Sequence, residues 1–144
     1  MFAKLAAMHL HITPECLISQ VQKEFNTAFP YLKLEFFHNK SRRTSFSASQ
    51  IVSSLKKIGD IQLVVKDGNI SIDGNMKVSE LEKILLDEFS LAAQVFRKSG
   101  NLWLETTITD SWTLQQQNTH GQEISTGHIS YPPDDYDLNR DADN

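Results

Sequence analysis

Two stretches of this chain share one order of apolar and polar residues, sixty positions apart. Residues 9–37 align with residues 69–97 when one residue is dropped near Pro30. Cys16 then lies over Met76, and almost every apolar position of one stretch meets an apolar position of the other. A repeat at a fixed spacing is typical of a duplicated supersecondary unit. We therefore interpret the two stretches as copies of one unit, which restricts the fold to arrangements built from two similar halves.

Each copy has the pattern of a strand, a helix and a second strand. Leu10 and Ile12 alternate with polar residues, which is the period of a half-buried strand. A helical stripe follows in both copies, at spacings i, i+3, i+7 and i+11. Its members are Ile18, Val21, Phe25 and Phe29 in the first copy and Val78, Leu81, Leu85 and Phe89 in the second. Pro30 cannot continue the first helix, and the alternating residues 32–37 after it predict a strand.

Two β-α-β units predict an α+β fold of the ferredoxin-like type, with an antiparallel or mixed sheet and both helices on one of its faces. Two more strands are predicted. Residues 61–65 precede Asp67-Gly68-Asn69, a sequence that favours a tight hairpin turn, and residues 102–108 follow the second copy. Because residues 61–108 alone have the order β-β-α-β-β, a β-grasp fold is the alternative.

The two remaining segments are polar. The connector between the copies carries Arg42 and Arg43, and an apolar stripe over 51–58 predicts a short helix there. Further on, Thr113-Leu114-Gln115-Gln116 has the spacing of a capping box, which predicts a helix that reaches about Asn118.

Charge separates the last segment from the rest. The chain of 144 residues has a net charge of −4, but residues from His120 onward carry a net of −5, which leaves +1 for the remainder. The segment 119–144 is poor in apolar residues and contains Pro132-Pro133. We therefore predict a single domain, 1–118, followed by an acidic disordered tail, 119–144.

No pattern for catalysis, a cofactor or a metal is found in the sequence. Cys16 is the one cysteine, the six glycines are scattered, and no serine lies in a G-x-S-x-G turn. His9 and His11 share a strand face, but no third ligand accompanies them at a metal-site spacing. An enzyme would require Glu105, Asp110 and a histidine to converge. We therefore expect no cofactor and a non-catalytic role.

Targeting signals are also lacking in the sequence. The apolar residues near the amino terminus are interrupted by His9, and no apolar run approaches the length of a membrane span. These features favour a cytoplasmic protein without a membrane partner.

The segment QVFRKSG, residues 94–100, leads into WLETTITDSWTL, residues 103–114. Together with DGNISIDGNMKVSELE, residues 67–82, it resembles an uncharacterised family of small bacterial proteins. The resemblance covers roughly residues 60–118. It implies no activity, cofactor or site residue, because no function is attached to that family.

The leading functional hypothesis is a protein-interaction or adaptor domain. The sequence places Arg97 and Lys98 near a hairpin tip, with Trp103 and Trp112 close by. Large aromatic side chains beside cationic groups are common in protein interfaces. The expected partner is another protein, and pairing of an open sheet edge with a second copy of the chain remains an alternative.

A nucleic-acid or ribonucleoprotein-associated role is the second hypothesis. Basic residues with aromatic platforms can hold a single strand, and Arg42 and Arg43 would add a basic patch to Trp103. The near-neutral charge of the domain argues against this role, since phosphate recognition depends on positive charge.

Overall fold

The computed structural model describes residues 7–38, 51–62 and 64–127, in which strands and helices alternate. The strands are β1 (Ala7–Ile12), β2 (Leu32–Phe37), β3 (Gly68–Asp73), β4 (Ala92–Ser99) and β5 (Leu102–Glu105). The helices are α1 (Ile18–Ala28), α2 (Val78–Phe89) and α3 (Leu114–Thr126). The predicted α+β class is confirmed.

The described strands form two antiparallel sheets. One contains β1 and β3, and the other has the order β2-β4-β5. The expectation of one sheet was wrong, because β1 and β2 lie in different sheets although α1 joins them, and so do β3 and β4 around α2. An alternating pattern determines which face of a strand is buried, but it leaves open which strand lies next to it.

The two predicted helical stripes form the core. All eight stripe residues are buried, and they pack against the inward residues of both sheets. These inward residues include Leu10, Ile12, Ile70 and Ile72 from one sheet and Leu32, Leu34, Phe36 and Val95 from the other. Burial of a large apolar side chain contributes about 1.5–3 kcal/mol, so the two stripes account for much of the cohesion of the fold.

Four turns in the described residues have one pattern of hydrogen bonds. In each, the carbonyl of the first residue accepts a hydrogen bond from the N–H three residues later, and a helical residue follows. The first residues are Thr13, Ser53, Asp73 and Thr109. The buried apolar residues that begin the following helices are Ile18, Ile58, Val78 and Leu114. Each turn therefore leads directly into a buried helix start.

The four turns pair two by two. In the first pair, the Ile18 N–H donates to the Lys56 carbonyl and the Ile58 N–H donates to the Cys16 carbonyl, each at 2.8 Å. The second pair repeats this exchange between Val78 and Trp112 at 3.0 Å and between Leu114 and Met76 at 2.8 Å. The first N–H groups of a helix have no partner inside the helix. Each turn pair satisfies them with carbonyls from a distant part of the chain.

A second set of bonds caps the same four starts. The N–H of each N-cap residue donates to the side chain three residues later, and the acceptors are Gln20, Asp60, Glu80 and Gln116. The Thr113 hydroxyl also accepts from the Gln116 N–H at 3.1 Å, which completes the predicted capping box. Leu17 and Lys77 have no side-chain oxygen for this bond, so their caps are half complete.

Two predicted elements of the connector are absent from the described residues. The strand expected over 61–65 does not form; the buried Gln62 side chain instead bonds the carbonyls of Lys66 and Phe89. The β-grasp alternative thereby lacks its first strand. The helix expected over 51–58 is replaced by a turn, in which Leu55 is 80% exposed, and by a one-turn 3-10 helix, Ile58–Asp60.

Helix α3 continues past Asn118, where the sequence was expected to become disordered, and ends at Thr126. Gly121 lets it pack closely: a Cβ there would lie 3.0 Å from the side chains of Tyr31 and Arg97 and 3.1 Å from the Lys98 carbonyl. The Asn118 side chain accepts from the Tyr31 N–H at 2.8 Å. Polar and close backbone contacts hold this helix, which an apolar stripe does not reveal. Residues 128–144 of the predicted tail lie outside the described residues.

Candidate functional site

The predicted contact residues lie around the hairpin of β4 and β5. The strands pair in register from Phe96 with Glu105 to Ser99 with Leu102, so the turn consists of Gly100 and Asn101. Gly100 has φ +64°. A type II′ turn requires a positive φ at its first central position, which glycine adopts without strain. The hairpin therefore turns at its glycine, beyond both predicted basic residues.

Arg97 points towards α3 and does not lie at the hairpin tip. Its Nη1 donates to the Oε1 of the fully buried Gln117 at 2.8 Å, and its guanidinium lies 6.0 Å from the Trp112 ring. Trp112 is half-buried and also meets the His120 ring edge-on at 5.6 Å. The prediction that Arg97 lies on the contact surface was wrong, because neighbouring residues of a strand point to opposite faces. Arg97 and Trp112 join α3 to the sheet.

Lys98 and Trp103 lie together on the opposite face of the hairpin. We call this surface the outer face; it consists of Lys33, Phe96, Lys98 and Trp103. The Nζ atoms of Lys33 and Lys98 lie 5.1 and 5.9 Å from the Trp103 ring centroid, and Lys33 also lies 5.6 Å from the Phe96 ring. Such cation–π contacts contribute about 0.5–1 kcal/mol each at exposed sites. The predicted pairing of Lys98 with Trp103 is therefore present, with Lys33 as an unpredicted third member.

Carboxylates offset the charge of the outer face. Glu35 forms an ion pair with Lys33 at 3.0 Å, and Glu105 stands opposite Phe96 on β5. Two lysines and two glutamates therefore share this side of the sheet. An anionic ligand gains little from a surface whose charges balance.

Strand β5 forms the outer edge of its sheet in the described part of the chain. In an antiparallel pair, alternate residues direct both backbone groups towards the partner strand. Because the Lys98 N–H donates to Tyr31, on the side of β2, the groups of Arg97 and Ser99 face β5 and those of Trp103 and Glu105 face outward. The structure gives these outward groups no hydrogen bond from any described residue.

Exposed apolar side chains accompany this edge. Leu102 is 65% exposed and Leu104 is 39% exposed, on the face opposite Trp103, and Ile108 just beyond β5 is 97% exposed. We define the hairpin edge as the outward backbone of Trp103 and Glu105 together with the side chains of Leu102 and Leu104. An open edge with apolar neighbours is a site for pairing with another strand.

The other edge of the same sheet is covered. Side-chain amides of α1 donate to β2 carbonyls: Gln22 to Leu34 at 2.7 Å and Asn26 to Leu32 at 2.8 Å. The Val52 N–H donates to a third β2 carbonyl at 2.8 Å. The contrast shows that β2 has lost its capacity for pairing, whereas β5 retains it.

Glu82 covers the part of β4 that extends beyond β5. Its Oε2 accepts from the Val95 N–H at 3.0 Å, while the Thr106 hydroxyl donates to the Val95 carbonyl at 2.8 Å. Burial raises the pKa of Glu82 to about 7; the Val95 N–H opposes this rise, and the nearby charge of Asp110 adds to it. Sequence analysis missed Glu82, because its position beside the apolar stripe is typical of an ordinary surface glutamate.

The remaining chemical candidates have structural roles. His9 and His11 share a strand face, as predicted, and their Nδ1 atoms lie 3.1 Å from the Ser71 hydroxyl and 2.6 Å from the Asn69 side-chain oxygen. In the described ranges no group of three or more His, Cys, Asp or Glu side chains is arranged to hold a metal ion. No described helix combines the length and hydropathy needed to span a membrane. Arg42 and Arg43 lie outside the described residues.

Comparisons of the chain with models of protein families, with curated proteins and with solved structures give no match. The resemblance of residues 60–118 to an uncharacterised bacterial family therefore stays a prediction.

Proposed function

We propose that this protein is a non-catalytic interaction or adaptor domain of the cytoplasm, and that its partner protein adds a strand to the hairpin edge. The open backbone of Trp103 and Glu105 carries this proposal, because its groups can pair with an extended segment. Main-chain bonds would supply affinity, and the exposed Leu102 and Leu104 would favour apolar side chains at alternate positions of the partner.

The rest of the molecule supports a rigid platform for such an edge. Gln117 is fully buried and bonds both Arg97 and Thr109, which fixes β4 and the turn after β5 to α3. The Gly100 N–H donates to the Ser125 hydroxyl at 3.1 Å, so the hairpin tip is also attached to α3. A pre-organised edge loses less entropy on binding than a mobile one.

Nucleic-acid association is the second candidate, and Trp103 and Phe96 on the outer face favour it. Bases stack on such aromatic rings. The ring of Trp103, however, already has two ammonium groups as neighbours, and Glu35 and Glu105 offset their charge. A strand-like protein segment therefore fits the geometry better than a polyanion does.

The test is affinity purification of the tagged full-length chain from its native host, with and without nuclease, for the native protein and two variants of one position. Glu105→Pro removes an outward N–H, and proline is tolerated on an edge where the N–H faces solvent. Glu105→Ala makes the same loss of charge but keeps the N–H. We expect the partner to be lost from Glu105→Pro and retained by Glu105→Ala.

Equal partner recovery from the two variants, with the fold intact by circular dichroism, would reject strand addition. Loss of every partner with nuclease, together with recovery that falls steeply with salt, would favour the nucleic-acid candidate. Partners recovered only as a second copy of this chain would identify the hairpin edge as a dimer interface.

We also propose that the fold is an internal duplication whose copies reach further than the aligned stretches. The two turn pairs support this, because the closing turns 53–60 and 109–116 have the same bonds to turns 13–20 and 73–80. Transplanting residues 13–20 into positions 73–80 tests the idea. We expect the chimera to fold with a loss of less than about 3 kcal/mol, whereas a scrambled order of the same residues abolishes folding.

A further inference from the structure

The carboxyl end of the described chain lies beside the hairpin edge. Ser125, in the last turn of α3, bonds the Gly100 N–H at the hairpin tip, next to the first residue of β5. Gly127 then takes the left-handed conformation, φ +81°, which reverses the chain after a helix. The segment that follows starts at the end of β5 where Leu102 is exposed.

Its sequence suits a strand. His128-Ile129-Ser130-Tyr131 alternates polar and apolar residues, and Pro132-Pro133 follows directly. Proline lacks the N–H that a ladder needs, so a strand beginning at His128 would end at Tyr131. These four residues match the four of β5 in length.

We propose that residues 128–131 add to the hairpin edge as a strand parallel to β5 when no partner is bound. The helix returns the chain to the start of β5, which is the connection that a parallel neighbour requires. Ile129 and Tyr131 lie on the side of Leu102 and Leu104 and cover them. The segment acts as an internal competitor for the edge. This regulatory part rests on the proposed function; the docking itself does not.

Amide hydrogen exchange on the full-length protein tests the docking. The Trp103 and Glu105 N–H groups point outward, so they are protected only if something pairs with the edge. The test variant is Ile129→Asp with Tyr131→Asp. The matched control is Tyr136→Asp with Leu138→Asp, which makes the same chemical change beyond the proline pair. We expect exchange at both amides to rise at least about tenfold in the test variant and to stay unchanged in the control.

Three results would overturn the docking: unprotected amides in the native chain, equal exchange in the two variants, or protection that disappears on dilution because a second copy supplies it. Partner recovery separates this inference from the proposed function. If the Ile129/Tyr131 variant exposes the edge and Glu105→Pro still binds the partner, only the proposed function fails. If the amides are open throughout and Glu105→Pro alone loses the partner, only the docking fails.

Discussion

Gln22 and Glu82 occupy the same place in the two halves of the molecule, yet they meet the backbone in opposite ways. The Gln22 amide donates to the Leu34 carbonyl of β2, and the Glu82 carboxyl accepts from the Val95 N–H of β4. Both are half-buried residues on the side of a helix that faces a strand edge. One position therefore covers an edge with a neutral donor in the first half and with an ionisable acceptor in the second.

The difference shows where the two halves have diverged. In the first half, α1 covers β2 and the closing turn ends in the short helix Ile58–Asp60. In the second half, β5 is added between β4 and the closing turn, and that turn starts the long helix α3. The candidate surface and the titratable Glu82 both belong to these additions. The first half serves as a closed template against which the second can be judged.

The largest effects test whether the two closing turns are equally integral to the core. Ile58 and Leu114 are fully buried at equivalent positions. We expect Ile58→Ala and Leu114→Ala each to lower the free energy of unfolding by about 2–5 kcal/mol, since each leaves a cavity. Urea denaturation measures both. A cost below about 1 kcal/mol for Leu114→Ala alone would show that α3 is merely appended.

The next effect concerns pH. Glu82 has a folded pKa of about 7 against an ordinary value of 4.5, so between these values the folded state holds a proton that the unfolded chain has lost. Stability should therefore fall as pH rises from 4.5 to 7, by about 3 kcal/mol at most. Glu82→Gln should remove this loss and be the more stable protein at pH 8.

The reverse change in the first half is the matched control. Gln22→Glu places a carboxyl against the Leu34 carbonyl and beside Glu35, so it should lower stability above neutral pH and have little effect near pH 4.5. Urea midpoints across this range compare the two variants. A native pH profile that Glu82→Gln leaves unaltered would contradict the assignment.

Smaller effects come from the helix starts. Thr113→Ala removes the hydroxyl that caps α3 and should cost about 1 kcal/mol. Lys77 holds the same position at the start of α2 without a capping oxygen, so Lys77→Thr should gain up to about 1 kcal/mol. Thermal unfolding of the two variants gives both values. Shifts of the same sign would break the equivalence of the two starts.

The smallest effects on stability concern two exposed apolar residues near the closing turns. Leu55 is 80% and Ile108 is 97% exposed, so Leu55→Lys and Ile108→Lys should each change the free energy of unfolding by less than about 0.5 kcal/mol. Partner recovery should distinguish them, because Ile108 lies next to the hairpin edge and Leu55 belongs to the other half. Equal recovery with the two variants would remove the residues after β5 from the contact surface.

Sequence periodicity predicted the helices well, because each apolar stripe reports directly which side of a helix is buried. It failed for the sheet, since Leu10 and Leu34 look alike in sequence although their strands join different sheets. It also failed for α3, whose contacts depend on the buried Gln117 and on the absence of a side chain at Gly121. Neither residue has a hydrophobic signal.

The candidate site was predicted in part. The aromatic and basic residues of the hairpin were identified, but the sequence could not assign Arg97 and Lys98 to opposite faces until the register of β4 was known. The open edge of β5 could not be foreseen at all. An edge is a property of the whole sheet, and it becomes apparent only when every neighbour of a strand has been placed.

The reciprocal turns have a consequence for folding kinetics. The first N–H groups of α1 bond carbonyls of Ser54 and Lys56, and those of α2 bond carbonyls of Asp110 and Trp112, which come much later in the chain. Neither helix can complete its first turn from local residues, so loop closure must accompany helix formation. Such non-local closure slows folding relative to a helical bundle of similar size. During synthesis, the start of each helix therefore waits for a turn that has not yet left the ribosome.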